Sequence, residues 1–287
     1  MGGRHNKGGS LRIGVLGSVH RDILGQEGYF GGIVYNLLPL SGLEAYPITW
    51  AGRDKKEEFE ELLSVLGMKK DGIFYCEKFN RNTLIYHGEE RDEILEANAP
   101  KISREQIDFA RSMDFLLVNF IRGDELTQEE FASLAGDGRM VDVHSLTLGV
   151  DERGRRYPRE IKARFDVIVL FPFVQGNQRE LHLLTGESGE RAIRKLMNAG
   201  VEAVFMTMGK KGVLLGYKGK TLYIPARERE GDPTGAGDIF SGAFIRRYIQ
   251  TGDVYLSVLF AVEIASCSIG PEGPMKKFEI IKSLLGQ

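Results

Sequence analysis

The sequence predicts an α/β protein in which a mainly parallel sheet lies between layers of helices. Short apolar runs typical of buried strands alternate with segments of helical period along most of the chain. The 287 residues, 42% hydrophobic and 27% charged, suit one large globular domain. There is no internal repeat or low-complexity linker that would require a second independent domain.

The strands and helices are expected in alternating order. Gly17 ends the first strand, and the pair Gly31-Gly32 opens the first helix. Strands of the main sheet are expected over residues 11–17, 45–51, 115–118, 140–143, 167–171 and 203–208. Helices are expected over residues 32–43, 55–66, 128–135, 236–250 and 254–268. The helix over 55–66 is amphipathic, with its apolar face formed by Phe59, Leu62, Leu63 and Leu66.

Three segments depart from this alternation. Val213–Tyr217 and Lys220–Ile224 are separated by Lys218-Gly219, which predicts a hairpin and a late antiparallel edge. The polar run over 81–90 is typical of an exposed strand pair that covers part of the main sheet. The first ten residues are Gly-rich and polar, lack the apolar region of a signal peptide, and are interpreted as a disordered tail.

Composition favours small-molecule chemistry over macromolecular partners. Thirty-eight basic and forty acidic residues leave a formal charge of −2, so no electrostatic attraction to nucleic acid or to a membrane is expected. Cys76 and Cys267 are far apart and suggest neither a disulfide framework nor a thiolate metal site, which favours a cytoplasmic location. The five histidines lack the spacing of a zinc site.

The segment 231–244, GDPTGAGDIFSGAF, carries the chemistry. Two closely spaced glycines make a tight turn, and the apolar residues that follow have helical spacing, so a glycine-rich loop opens a helix. The amides of Gly235, Ala236 and Gly237 can approach an anion directly, aided by the positive end of the helix dipole. Asp238, in the first turn, could accept the proton of an attacking hydroxyl. The dipole alone also favours an Asp at this position.

This segment resembles the C-terminal signature of the ribokinase (pfkB) family of carbohydrate kinases, D-T-x-G-A-G-D-x-F, with Pro233 in place of Thr. The resemblance implies a ribokinase-like three-layer α/β/α sandwich over residues 11–287, with a small β lid from about 18–31 and 73–92. It further implies an ATP-dependent kinase that phosphorylates a hydroxyl of a sugar or cyclic polyol. Asp238 would be the catalytic base, and residues 235–237 the anion hole.

Two N-terminal loops resemble the substrate loops of that family. Asp22 can accept hydrogen bonds from sugar hydroxyls, Gly31 and Gly32 allow close backbone approach, and Asn36 offers both a donor and an acceptor. Taken singly, all four are ordinary turn and capping residues. His20 lies beside them, either at the substrate mouth or facing solvent.

Other motifs resemble the nucleotide and metal elements of the family. Asn177 and Glu180 match N-x-x-E, in which the acidic residue organises Mg²⁺ through water, although helix capping explains the same pair. Thr207, Gly209 and Gly212 match T-x-G-x-x-G, a nucleotide loop whose glycines could also simply form a turn. The loop over 270–274 is either a helix stop or an adenine-side wall. The resemblance also suggests two features that the sequence does not establish. These are K⁺ near the segment matching Asp232 and a homodimer paired through the lids.

The sequence does not determine which molecule accepts the phosphoryl group. Residues 141–144, Asn82-Thr83 and the DPTGAGD variant are more similar to inositol-kinase-type members than to ribokinase itself. Other sugars and nucleosides remain alternatives, and Tyr29 and Phe30 could line a nucleobase pocket or cover the lid. A sugar-binding protein without turnover is a rival function, disfavoured by the intact Asp238 and Glu180. A dinucleotide oxidoreductase is another, disfavoured because the first strand is not followed by GxGxxG.

Overall fold

The computed structural model describes residues 10–24, 27–87 and 90–287. Its strands are β1 (Ile13–Gly17), β2 (Val19–Leu24), β3 (Glu27–Gly32), β4 (Ala45–Gly52), β5 (Ile73–Cys76), β6 (Asn80–His87), β7 (Glu90–Glu96), β8 (Phe115–Asn119), β9 (Arg139–Asp142), β10 (Leu148–Val150), β11 (Arg156–Pro158), β12 (Phe173–Asn177), β13 (Ala203–Thr207), β14 (Val213–Tyr217) and β15 (Lys220–Ile224). Its α-helices are α1 (Ile33–Leu37), α2 (Lys56–Leu66), α3 (Arg104–Arg111), α4 (Gln128–Ala132), α5 (Phe165–Ile168), α6 (Gln178–Thr185), α7 (Glu190–Asn198), α8 (Ala236–Thr251), α9 (Val254–Cys267) and α10 (Pro274–Leu284).

A nine-stranded sheet forms the middle layer, in the order β15-β14-β13-β12-β9-β8-β1-β4-β5. The pairings from β13 to β5 are parallel, whereas β13–β14 and β14–β15 are antiparallel. The predicted hairpin and its antiparallel edge are therefore confirmed.

Helices cover both faces of this sheet. Along β13, Val204 packs in one apolar cluster and Phe205 in the other, because successive strand residues point to opposite faces. The cluster around Phe205 contains residues of α1, α2, α8, α9 and α10, and the cluster around Val204 contains residues of α3, α6 and α7. The three-layer α/β/α sandwich is confirmed.

A separate four-stranded sheet, in the order β3-β2-β6-β7, forms the lid. The β10–β11 hairpin attaches to its edge, where the N–H of Leu95 donates to the carbonyl of Gly154 at 2.7 Å. The strand over Ile73–Cys76, which the resemblance assigned to the lid region, instead pairs with β4 in the main sheet.

Three element predictions differ from the structure. The strand expected over 167–171 is wrong, because that segment holds the end of α5 and a turn, and the strand is β12. The helix expected over 32–43 is shorter, since α1 ends at Leu37 and a 3₁₀ turn over Leu38–Leu40 follows. A third C-terminal helix, α10, was not predicted.

Two expectations concern the ends and the surroundings of the fold. Nine of the ten residues interpreted as a disordered tail lie outside the described residues. Within the described ranges, the helices are too short or too polar to cross a membrane.

Candidate active site

Two of the predicted site residues, Asn177 and Thr207, lie with other polar residues at one edge of the main sheet, where parallel strands end. Asn119, Asp142, Asn177 and Thr207 are the last residues of β8, β9, β12 and β13, which are neighbours in the sheet. The carboxyl ends of parallel strands are the usual ligand-binding edge of an open α/β sheet. The edge therefore brings together residues far apart in sequence.

The glycine-rich loop enters α8 above this edge. Gly235 is the N-cap residue with φ 76°, and an added side chain there would meet the Tyr35 ring at 2.3 Å. Both facts require glycine. The N–H of Ala236 donates to the carbonyl of Pro233 at 3.0 Å. One of the three amides expected to form the anion hole is thus engaged within the loop.

Asp238 is held by two asparagines. The side-chain amide of Asn119 donates to Asp238 Oδ1 at 2.7 Å and to Asn36 Oδ1 at 2.9 Å, and Asn36 Nδ2 donates to the Asp238 carbonyl at 2.9 Å. Asn36 is fully buried. Its amide, which the sequence assigned to substrate, is engaged in orienting Asp238.

The environment of Asp238 suits a general base. Burial raises its pKa to about 6, while the positive charge of His144 and the hydrogen bond from Asn119 act in the opposite direction. Asp238 is therefore largely ionised at neutral pH yet retains appreciable basicity. Sequence reasoning missed Asn119, although a polar residue closing the apolar strand FLLVN was an available signal.

Asp142 is a second buried carboxylate at this edge. Gln175 Nε2 donates to Asp142 Oδ2 at 2.9 Å and to the Gly237 carbonyl at 3.0 Å. Burial raises the pKa of Asp142 to about 7, and the charges of Glu180 and Asp238 add to the shift. The sequence used Asp142 only as a substrate cue, so its place near Asp238 is a finding of the structure.

Glu180 and Asn177 form a capping box at the start of α6, as the sequence allowed. The Asn177 N–H donates to Glu180 Oε2 at 2.7 Å, and the Glu180 N–H donates to Asn177 Oδ1 at 3.0 Å. His144 Nδ1 lies 2.6 Å from Glu180 Oε1. Burial lowers the pKa of His144, but the carboxylate of Glu180 outweighs burial and the net shift is upward.

The residues present fit Mg²⁺ held through water. The carboxylate of Asp142 is close enough to Glu180 and Asp238 for their charges to raise its pKa. Carboxylate oxygens and retained waters are what Mg²⁺ prefers. Among the described residues, no group of three or more His, Cys, Asp or Glu side chains is arranged to hold a metal directly.

Three of the residues predicted to bind the acceptor, Asp22, Gly31 and Gly32, lie in the lid strands β2 and β3. Asp22 Oδ1 is 3.0 Å from His20 Nε2, and both residues are buried, so His20 does not face solvent. A side chain at Gly31 would meet Asp22 Oδ2 at 2.0 Å, and Gly32 has φ 63° with the Ser18 carbonyl 2.2 Å from an added Cβ. These two glycines are required by their close approach to Asp22 and to the backbone.

A buried ion pair closes this side. Arg156 Nη1 lies 2.6 Å from Glu93 Oε2, which also accepts from Asn82 Nδ2 at 3.1 Å. Arg156 donates further to the Ile121 carbonyl at 2.7 Å and to Ser145 Oγ at 3.1 Å. Within the described part of the chain, His20 Nδ1, Asn82 Oδ1 and Arg156 Nε are buried without a hydrogen-bond partner. The sequence gave no role to Arg156 or Glu93.

The loop predicted to bind nucleotide follows β13. Thr207 is the register partner of Asn177, and Gly209 begins a 3₁₀ turn. Gly212 has φ 103°, and a side chain there would meet the Ile224 carbonyl at 2.2 Å, so it is required by contact with β15. A separate depression of about 580 Å³, lined by residues such as Ser10 and Lys69, shares no residue with this site.

Residues 166–280 match the model described as pfkB family carbohydrate kinase. This match covers 115 of the 287 residues. The matched region contains β12, the capping box of α6 and the loop that opens α8. The C-terminal motifs that resemble this family in the sequence therefore lie within the matched region.

The curated relatives of this chain are named kinases. Deoxyribokinase from Salmonella typhi is 33% identical over 117 residues, which is 38% of this chain and 38% of that protein. The match thus spans little more than a third of the relative's length.

Solved structures resemble nearly the whole chain. Their sequence identities are low, so the likeness shows the fold alone. A pyrophosphate-dependent kinase of the ribokinase family, complexed with a pyrophosphate analogue and myo-inositol, has a TM-score of 0.78 at 17% identity, covering 94% of this chain and 99% of that one. An Escherichia coli protein assigned as ribokinase II, in complex with ATP and Mg²⁺, has a TM-score of 0.74 at 18% identity, covering 96% and 99%.

Proposed function

We propose that this chain transfers the γ-phosphoryl group of ATP, with Mg²⁺, to a hydroxyl of a small sugar or cyclic polyol. The observation that carries the proposal is Asp238, a carboxylate with a pKa near 6 in the first turn of α8, fixed by Asn119 beside a glycine-rich loop. A helix N-terminus suits a transferring phosphoryl group, and the adjacent carboxylate suits the attacking hydroxyl.

In this mechanism the acceptor hydroxyl lies between the lid and Asp238. Asp238 takes the hydroxyl proton as the oxygen attacks the phosphorus, and the bond to the leaving ADP breaks. The amides of Gly235 and Gly237 stabilise charge on the phosphoryl oxygens, since that of Ala236 is engaged within the loop. Mg²⁺, held through water by Glu180 with Asp142 nearby, would neutralise phosphate charge. The lid keeps competing water from the phosphoryl group.

The acceptor side supports a polyhydroxylated ligand. Buried polar atoms without partners are costly, and hydroxyl groups can both donate to and accept from such atoms. Phe30, a candidate nucleobase wall in the sequence, is buried and packs against Phe59 and Phe79 with ring centroids 5.3 Å and 5.2 Å away. This packing favours a sugar or polyol over a nucleoside.

The decisive experiment is an assay of ADP release over a panel of inositols, pentoses, hexoses and nucleosides, with mass spectrometry of the phosphorylated acceptor. A parallel arm supplies pyrophosphate, because a fold neighbour is named as pyrophosphate-dependent. Asp238→Asn is expected to lower kcat by roughly 10²- to 10⁴-fold, since it removes the base. Asp71→Asn, an exposed turn residue, is the matched control.

Three results would redirect the proposal. Absence of turnover with every acceptor and both donors would favour a sugar-binding protein. Full turnover by Asp238→Asn would disprove the base assignment. A polyol-dependent change in NAD(P)H absorbance without ATP would favour an oxidoreductase. The homodimer through the lid and the cytoplasmic location stay predictions, the former open to sedimentation analysis.

A further inference from the structure

Lys277, on α10, is a fully buried lysine. Its side chain has a relative exposure of 0%, and Nζ donates to the carbonyls of Asp232 at 2.7 Å and Ser268 at 3.2 Å. The Asp232 carboxylate oxygen Oδ2 lies 3.5 Å from the same nitrogen. Three oxygens from two separate segments thus surround one ammonium group.

These oxygens belong to the frame of the glycine-rich loop. Asp232 lies three residues before Gly235, and its Oδ1 accepts from the N–H of Thr234 at 2.9 Å and from Thr234 Oγ1 at 2.6 Å. The Asp232 N–H donates to the Gly270 carbonyl at 3.2 Å, just beyond the C-cap Ser268 of α9. Lys277 therefore ties α10 and the end of α9 to the loop that opens α8.

Burying the ammonium group of Lys277 is unfavourable unless it offsets the repulsion between the oxygens around it. Removing one charge from water costs several kcal/mol, and an apolar side chain beside the buried Phe278 would avoid that cost. Burial lowers the pKa of Lys277, and Asp232 opposes the shift. Without a cation, however, two main-chain carbonyls and a carboxylate would point at one another.

We propose that Lys277 is a tethered monovalent cation that positions the loop over 232–235, so that turnover needs no added K⁺. The inference rests on the proposed kinase function and concerns its regulation by cations. The sequence left K⁺ near Asp232 open as a cofactor. The oxygens available there already contact Lys277 Nζ, so K⁺ does not fit while the lysine is in place.

The test replaces the lysine and then supplies a free cation. Lys277→Met removes the charge, and Lys276→Met, its exposed neighbour, is the control. In a buffer with choline as the only monovalent cation, the unaltered chain and Lys276→Met are expected to keep full kcat. Lys277→Met is expected to lose roughly 10- to 100-fold, because a small displacement of a catalytic loop has that effect. K⁺ or NH₄⁺ should restore much of the loss, and Li⁺ should not.

A second readout does not depend on turnover. K⁺ should raise the Tm of Lys277→Met and leave that of the unaltered chain unchanged, since only the variant has a vacant cation position. Lys277→Gln keeps hydrogen-bond donors but removes the charge, and it replaces the Met variant in both measurements if the Met variant does not fold. The proposal is overturned by a K⁺ requirement in the unaltered chain, by full choline-only turnover of the variants, or by K⁺ that affects neither their rate nor their Tm. If the unaltered chain is not a kinase, the Tm measurement still decides the cation question.

Discussion

Asn119 lies between the proposed base and a residue that the sequence assigned to substrate. Its single amide nitrogen donates to Asp238 Oδ1 and to Asn36 Oδ1, while Asn36 donates back to the Asp238 carbonyl. The two asparagines thus fix both the side chain and the backbone of Asp238. A hydrogen bond to a carboxylate favours its ionised form, so Asn119 also keeps the base from becoming too easily protonated.

Asn119→Ala should therefore move the acid limb of the pH profile. Asp238 has a pKa of about 6, raised by burial and partly offset by His144 and by Asn119. Losing the Asn119 hydrogen bond raises this pKa further, so kcat should begin to fall at a higher pH than in the unaltered chain. The measurement is kcat over roughly pH 5 to 8, with exposed Asn198→Ala as control. A uniform loss of activity without a shifted limb would mean that Asn119 only supports structure.

Among the elements, the β10–β11 hairpin connects the lid to the main domain. It brings Arg156 under the lid, where the guanidinium bonds Glu93 of β7 and reaches the main domain at the Ile121 carbonyl. Glu93 in turn accepts from Asn82, next to Asp22. A buried ion pair of this kind contributes geometry more than net stability, and removing one partner leaves a buried charge without compensation. The hairpin therefore fixes the position of the lid beside Asp22, which we propose as an acceptor-binding residue.

A double-mutant cycle tests this role of the hairpin. Arg156→Met and Glu93→Leu should each cost about 3–5 kcal/mol of unfolding free energy, because each strands the opposite charge. The double variant should cost clearly less than the sum. Urea unfolding gives the energies, and Arg153→Met, exposed in the same hairpin, is the control. Arg156→Met and Glu93→Leu should also raise the KM for the acceptor, and Arg153→Met should not. Additive losses would show that the pair is not coupled.

Two elements that the sequence missed, β12 and α10, share a cause, which is polar residues in buried positions. Strand β12 reads FVQGN, and its Gln175 is buried because it serves the site, so the more apolar run just before it was taken for the strand. Helix α10 has Lys277 among buried Phe278 and Ile281, which obscures its apolar face. Pro274 at its first turn was interpreted as part of a helix stop. Apart from β5, which was assigned to the lid region, the remaining main-sheet strands were predicted within one or two residues, since their apolar runs are continuous.

In the whole molecule, the site depends on contacts between distant segments. Local motifs identified Asp238, Glu180 and the glycine-rich loop, because each motif is contiguous in sequence. Asn119 bonds a residue 119 positions away, and Arg156 bonds one 63 positions away. Asn119 has only the weak local signal of a polar residue that closes an apolar strand, and Arg156 has none, so the fold is needed to reveal their contacts. The fold also gathers Asp142, Glu180 and Asp238 into one negatively charged region at the sheet edge.

Burial of Asp142, together with the charges of Glu180 and Asp238, should lower stability as the pH rises. Asp142 has a pKa of about 7 in the folded chain against an ordinary value of 3.8, so the folded state binds its proton more tightly than the unfolded state. Its favourable contribution is complete below about pH 4 and is lost as the pH rises toward 7. The upper limit of this change is about 1.4 kcal/mol per pH unit for one group.

Asp142→Asn should remove this dependence. Relative to the unaltered chain, its unfolding free energy should rise by on the order of 1–3 kcal/mol between about pH 5 and pH 8. The new amide loses one acceptor facing Gln175 Nε2, but that cost is the same at every pH and leaves the slope intact. Urea unfolding without Mg²⁺ gives the comparison, with exposed Asp71→Asn as control. A difference that does not change with pH would mean that Asp142 is ionised throughout and that the carboxylates at the sheet edge are more fully solvated than their burial indicates.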